Sequence, residues 1–351
     1  MKSPGGTLTR WGLSIAIGAG FAYLALKDWP VQGLLNGIGV HDWRIVADSW
    51  SVHLVWFPLY FATLVSMHVF RVWRWKPLLK PLADVDFWTL NRVCSVGFLA
   101  MFVLPVRLGE LVRPALISTE VNLRRSPALA TIVVERTIDG VMVAGFLAVV
   151  LVFLPRGNSS SYVELQIATY LALALFSALV LGLVLLFVFR RRVTVFLKAF
   201  IPRLAGHGIA EAVAGVLDRF LQGLSIFPDT RNFLLFIVGS LLYWGSNCLG
   251  LYVLAIGFGL DIPFTGAVAM MATIVVGMMI PNPPGNVGTF WYFLLKPLEL
   301  YGLSGRPAAL VFAMSVYGMQ FLQLILFGGW FILKGDVSFK KAFTVSWSEL
   351  A

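Results

Sequence analysis

A chain of 351 residues that is 59% hydrophobic and only 13% charged, with a mean hydropathy of +0.85, lies outside the range of soluble domains, which carry about 25% charged residues. Its net charge of +10 would suit nucleic acid, but in so apolar a chain a basic excess belongs to cytoplasmic loops beside anionic lipid, and no nucleic-acid partner is expected. Cys94 and Cys248 both lie in apolar segments and His41, His53, His68 and His207 have no ligand-like spacing, so neither a disulfide framework, a metal site nor a cofactor is expected.

The first apolar run, Trp11–Leu26, follows Lys2 and Arg10 without a convincing small-residue cleavage site and reads as a retained span rather than a removed signal peptide. A second run covers Val52–Phe70. The basic, tryptophan-laced stretch after it, RVWRWKPLLK (Arg71–Lys80), reads as an anchor at the lipid headgroups. Val93–Leu104 is too short to cross a bilayer, which takes about 20 residues. If it dips in and returns, Arg107, Arg113, Arg124 and Arg125 share a side with Arg71, Arg74, Lys76 and Lys80, as the positive-inside tendency prefers. It is therefore read as a re-entrant or broken helix.

Ser126-Pro127 has the form of a helix start, and the helix is expected from about Ala128 to Leu154. Glu135 then lies roughly 10 Å in and Asp139 roughly 17 Å in, at 1.5 Å per residue. The two carboxylates are four residues apart on one face, with Arg136 three residues from Asp139. A span from about Leu165 to Phe189 follows. Residues 190–231 contain Val213, Val216, Leu217, Phe220, Leu221 and Leu224 at helical spacing opposite Asp218, Arg219 and Gln222, an amphipathic helix for the inner membrane surface or for packing on the bundle. Later spans are expected near Phe233–Gly257, Ile262–Ile280 and Ala308–Leu333. Most of the 27 Lys and Arg fall on one side when both termini are cytoplasmic. The fold class is thus an all-α polytopic membrane protein of about eight transmembrane helices in a single integral membrane domain, residues 1–351. It has a first half-site at 87–154 and a second at 262–333.

Two interruptions define those half-sites: Leu104-Pro105 with Gly109, and Pro281, Pro283, Pro284, Gly285 and Gly288. Proline removes a backbone donor and clashes with the preceding turn, and non-helical backbone at membrane depth survives only when buried or lining a cavity. A pair of Gly/Pro-interrupted segments in the two halves of a chain points to a transport site and suggests an inverted-repeat relation, although no residue-level repeat is visible. In the first segment, LPVRLGELVRPALIS, the charges Arg107, Glu110 and Arg113 recur every three residues. Arg107 and Arg113 are candidate donors for a phosphate headgroup, with Glu110 orienting them; the plainer alternative is inner-side charge on bulk anionic lipid. For Glu135, Arg136 and Asp139 the alternatives are a charge relay along a substrate path and an internal salt bridge between helices.

The combination LPVRLGELVRPALI…RRSPALATIVVERTIDG resembles the membrane-domain family of lysylphosphatidylglycerol synthase/flippases, and IPNPPGNVGTFWYFL…YGLS is similar to that family's second motif, P-x-PPG-x-xGTF. The likeness covers essentially the whole chain. It implies a bacterial inner-membrane protein of about eight helices with re-entrant elements, able to translocate a lipid. Arg107, Gly109, Glu110, Arg113, Glu135, Arg136 and Asp139 match the first motif, and Pro281, Pro284, Gly285 and Gly288 the second. Met101 and Phe102 stand where the family often has Asn, Trp291 where it often has Glu, and Tyr317 where it often has His. In the bifunctional proteins the synthase activity lies in a soluble domain after the membrane part, so aminoacyl transfer is not expected here.

The functional expectation is a non-enzymatic flippase or transporter for an anionic, lipid-linked or aminoacylated lipid carrying phosphate. The alternatives are a non-transporting partner or assembly factor in cell-envelope lipid or glycan synthesis, and a lipid-modifying membrane enzyme. The expected partners are a membrane lipid and either a second copy of the chain or a separate synthase or glycosyltransferase.

Overall fold

A computed structural model describes residues 54–104, 109–154, 160–189, 192, 195, 229–278, 283–303 and 306–335. The first apolar run, the amphipathic stretch up to residue 228, and both termini lie outside the described residues. All regular structure among the described residues is helical. Numbering starts at the first described helix: α1 Trp56–Trp73, α2 Trp75–Leu79, α3 Phe87–Val103, α4 Val112–Glu120, α5 Arg125–Leu151, α6 Ser160–Val188, α7 Thr230–Gly257, α8 Phe264–Gly277, α9 Thr289–Leu295 and α10 Pro307–Leu324. The last continues through a π-helical turn, Ile325–Gly329, into α11 Trp330–Leu333.

Among the described residues, three helical stretches are long and apolar enough to cross a membrane: Tyr162–Val188, Thr230–Gly257 and Ala308–Leu333. At 27 residues α5 has the length as well, but three charges at its middle set it apart by composition. It opens at Arg125 with Arg124 at the cap position, slightly ahead of the Ser126-Pro127 start read from sequence. The expected span Ile262–Ile280 is a 14-residue helix, α8, about 21 Å long and too short to cross alone.

That shortness is explained by the chain doubling back. Glycines at 257, 250 and 239 on α7 approach Trp56, Tyr60 and Trp73 of α1 in turn, so these two helices run antiparallel and close together. On α3 and α4, Gly109 abuts the backbone of Met101, Gly97 abuts the side chain of Arg113, and Arg92 pairs with Glu120. The sequence positions run in opposite directions, which makes a helical hairpin, the described residues next to its tip being 101–104 and 109–111. On the other side, Gly277 packs on Phe293, Gly266 on Tyr301, and the Thr273 hydroxyl donates to the Phe293 carbonyl at 2.7 Å. This is a second hairpin, α8 against α9 and the 3-10 turns after it, the described residues next to its tip being 277–278 and 283–288.

The two hairpins enter from opposite ends. The base of the first lies beside the start of α5, while the second is tied near the start of α6 by Lys296 to Glu164 at 3.2 Å. Their tips meet: a Cβ on Gly285 would lie against Phe102 and Tyr317. Each hairpin belongs to its own apolar core. Val93, Cys94, Leu116 and Ile132 belong to one, and Met270, Phe290, Leu294 and Val143 to the other. Helix α5 serves both, with Ile132 and Val134 in the first and Val143 and Leu147 in the second. Glu135 and Asp139 fall between the two sets.

Candidate functional site

Four positions apart on α5, Glu135 and Asp139 leave the helix on one face and meet an arginine that came earlier in the chain. Arg74, at the joint between α1 and α2, is fully buried. It donates from Nη1 to Asp139 Oδ1, from Nη2 to Asp139 Oδ2 at 2.8 Å and to Glu135 Oε1 at 3.0 Å, and from Nη1 to the Ser240 hydroxyl at 3.2 Å. Arg113, 1% exposed, places Nη2 2.8 Å and Nη1 3.2 Å from Glu135 Oε2. Arg136 reaches back to Glu135 Oε1 at 2.7 Å and stands 3.7 Å from Asp139. Trp244 Nε1 donates to Asp139 Oδ1 at 3.2 Å. Gly97 leaves room for the Arg113 stem and Gly239 for that of Arg74, since a Cβ on either would collide with those chains. Taking charge out of water is costly unless it is paired and hydrogen-bonded, and here nearly every carboxylate lone pair has a charged donor.

This overturns the reading of Arg71–Lys80 as a headgroup anchor. Arg74 and Trp75 are fully buried, and the Trp75 indole donates to Thr131 at 3.0 Å. It also changes the part given to Arg113. Arg113 is committed to Glu135 and is not presented to a ligand.

Beside the network lies a cavity of about 420 Å³, within the range of small-molecule sites. Phe98, Met101, Phe102 and Glu110 line it from the first hairpin; Met271, Met278, Asn286 and Phe290 line it from the second. Arg136 and Asp139 reach its wall, as do Arg71, Asn247, Gln320 and Tyr317. His68 also lines it. With Gln323 Nε2 3.4 Å from Nδ1 and Asn91 Oδ1 2.8 Å from Nε2, a single neutral tautomer satisfies both: Nδ1 accepts and Nε2–H donates.

Of the sequence-predicted residues, Glu110, Arg136 and Asp139 border the cavity, and Glu135 and Arg113 lie behind its wall. Arg107 and Pro281 lie outside the described residues. Gly285 and Gly288 form the second tip with φ of 74° and 81°, a left-handed region that a Cβ disfavours; Pro284 opens the 3-10 turn there. The Tyr317 hydroxyl donates to the Gly285 carbonyl at 2.8 Å, and its ring meets Phe102, Phe290 and Trp291 at 5.9, 5.5 and 5.4 Å between centroids. Phe102, Trp291 and Tyr317, three of the positions where the sequence departs from the motifs it resembles, therefore gather into one aromatic cluster around Tyr317.

Residues 11–328 match the family described as the lysylphosphatidylglycerol synthase TM region, and the chain belongs to that family of membrane proteins. Among curated proteins it is similar to one named glycosyltransferase AglD from Haloferax volcanii, at 26% identity over 283 residues, covering 73% of this chain and 43% of the relative. The chain thus spans less than half the length of that protein. No solved structure matches it.

Proposed function

We propose that the protein moves an anionic, phosphate-containing or lipid-linked lipid across the bacterial cytoplasmic membrane. The observation that carries this reading is the cavity held between the tips of two helical hairpins entering from opposite ends, with a charged network along one wall. On this reading the hairpins are re-entrant elements related as inverted repeats within a bundle of about eight transmembrane helices. Rocking of one apolar core against the other opens the cavity to each side in turn. Helix α5, shared by both cores, is the pivot, and the Arg74–Asp139 and Arg113–Glu135 pairs keep it fixed to the first half. Leu175 lines the cavity from a helix whose apolar window is only 11% buried, which gives acyl or prenyl chains a lateral way in from lipid. The chain makes and breaks no covalent bond.

The test is headgroup-resolved lipid movement in proteoliposomes, with recovery of the lipid chemically unchanged. Movement that stops when the tips are cross-linked supports the reading; a folded protein that moves neither phospholipid nor polyprenyl phosphate overturns it. A second reading is favoured by the likeness to a glycosyltransferase-named protein: a non-transporting partner or assembly factor in cell-envelope lipid or glycan synthesis. It predicts co-purification with a glycosyltransferase or synthase and no lipid movement.

A further inference from the structure

We propose that Arg71, one turn before Arg74, is the receptor for a singly charged phosphate oxyanion in the cavity. Arg71 lines the cavity wall and lies at half-burial. Its guanidinium is stacked on Phe98, 3.7 Å from the ring centroid, with Tyr243 beyond it at 5.7 Å. One face of the ion is therefore spent on an aromatic ring, which leaves the in-plane N–H fork for a ligand. No described carboxylate pairs with Arg71, and its buried Nε has no hydrogen-bond partner. That is the difference from Arg74, Arg113 and Arg136, each of which forms an ion pair with Glu135.

Charge counting narrows the ligand. Among the described residues around the cavity and network, four guanidinium groups (Arg71, Arg74, Arg113 and Arg136) face three carboxylates (Glu110, Glu135 and Asp139). One positive charge is in excess, and Arg71 is the cation that forms no ion pair. A phosphodiester carries one negative charge and closes the balance. A phosphomonoester carries about 1.5 to 2 near neutral pH, and its second charge would meet Asp139, which also lines the cavity. The fork of Arg71 fits two oxygens of a phosphate, and the amides of Asn247 and Gln320, which also line the cavity, can donate to the others. Met67, Met101, Met271 and Met278 also line the cavity, an adaptable apolar surface for the chain stem of a lipid.

The same oxyanion is offered by a lipid headgroup and by free phosphate. Only what happens to the ligand after binding rests on the transport reading, so binding is measured without transport. The full chain in detergent is titrated with phosphatidylglycerol, phosphatidic acid and inorganic phosphate, beside Arg71→Gln and Arg71→Lys. Loss of phosphatidylglycerol binding by roughly tenfold or more in Arg71→Gln is expected, with partial recovery in Arg71→Lys, which keeps charge but not the fork. Phosphatidylglycerol binding that inorganic phosphate does not displace identifies the headgroup as the source; phosphate binding lost in Arg71→Gln without any lipid preference identifies the free ion. On the unaltered chain, phenylglyoxal labelling of Arg71, located by peptide mapping, should be slowed by phosphatidylglycerol, and this arm stands even if the variants do not fold. Binding by Arg71→Gln within about twofold of the parent, labelling of Arg71 indifferent to both lipid and phosphate, or tighter binding of phosphatidic acid than of phosphatidylglycerol overturns the assignment. Arg71-dependent binding without lipid movement would uphold it and overturn transport instead.

Discussion

Removing Arg74 should be the costliest single change in the charged network, and the structure says why. Arg74→Ala withdraws both oxygens' main donor from Asp139 and one of the two buried arginines from Glu135. What remains on Asp139 is the Trp244 indole at 3.2 Å and Arg136 at 3.7 Å. Stranding a buried carboxylate in this way costs about 3–5 kcal/mol, or roughly two to four powers of ten in the folding equilibrium. Arg136→Ala is different: its side chain is 28% exposed, and Glu135 keeps Arg74 and Arg113, so a loss of about 1–2 kcal/mol is expected. The assay is reversible unfolding in mixed detergent micelles, comparing Arg74→Ala, Arg136→Ala and the double variant Arg74→Leu with Asp139→Leu. The double variant should recover much of the stability lost by Arg74→Ala, because apolar replacement of both partners removes the stranded charge. If Arg136→Ala is as damaging as Arg74→Ala, or if the double variant is worse than the single, the placement of Arg74 at the centre of the network is wrong.

Three more outcomes follow from the packing. Gly97→Ala puts a methyl group into the Arg113 stem and should destabilise by about 1–3 kcal/mol, read by the same unfolding assay; a silent substitution would show that α3 and α4 are not in this contact. Tyr317→Phe removes the bond to the Gly285 carbonyl, worth about 0.5–1.5 kcal/mol, and should raise amide hydrogen exchange over 285–288 while leaving α5 unchanged. At the base of the first hairpin, hydrogen bonds from Thr89 hold the Asp86 carboxyl below its ordinary range. A lowered folded-state value means the cap's contribution is present above the unfolded carboxylate range and lost as pH falls through the folded value. Protection from exchange at Trp88 and Thr89, which donate to Asp86, taken relative to the intrinsic rate at each pH, should therefore fall more on acidification than in Asp86→Asn, which retains an uncharged cap.

Much of this arrangement is legible in the sequence, for identifiable reasons. A spacing of four residues puts Glu135 and Asp139 on one face, because helical periodicity alone decides it. Gly109, Gly285 and Gly288, read from the sequence as interruptions, stand at the described ends of the hairpin arms, where glycine permits close approach or positive φ. Arg74 could not be found this way. A basic run after an apolar stretch has the same pattern whether it rests in headgroups or turns inward against acidic residues, and the partner that decides it, Glu135, is 61 positions away. The surplus of carboxylates on α5 over its single mid-helix arginine was the available signal that cations must come from elsewhere. The shortness of α8 was hidden similarly, because apolar character continues past Gly277 to Ile280 after the helix has ended.

The order of the network along the chain bears on how the protein is made. An Asp or Arg near the centre of a lone helix opposes membrane insertion by about 2.5–3.5 kcal/mol, and α5 carries Glu135, Arg136 and Asp139 together. Arg74 and Arg113 both precede α5 in sequence, so during synthesis the counter-charges reach the bilayer before the carboxylates that need them. Ser240 and Trp244, which complete the bonds to Arg74 and Asp139, arrive last with α7. Biogenesis can then proceed from the N-terminal side with α5 docking onto a waiting cationic seam, and truncation after α5 should leave it inserted but unsealed.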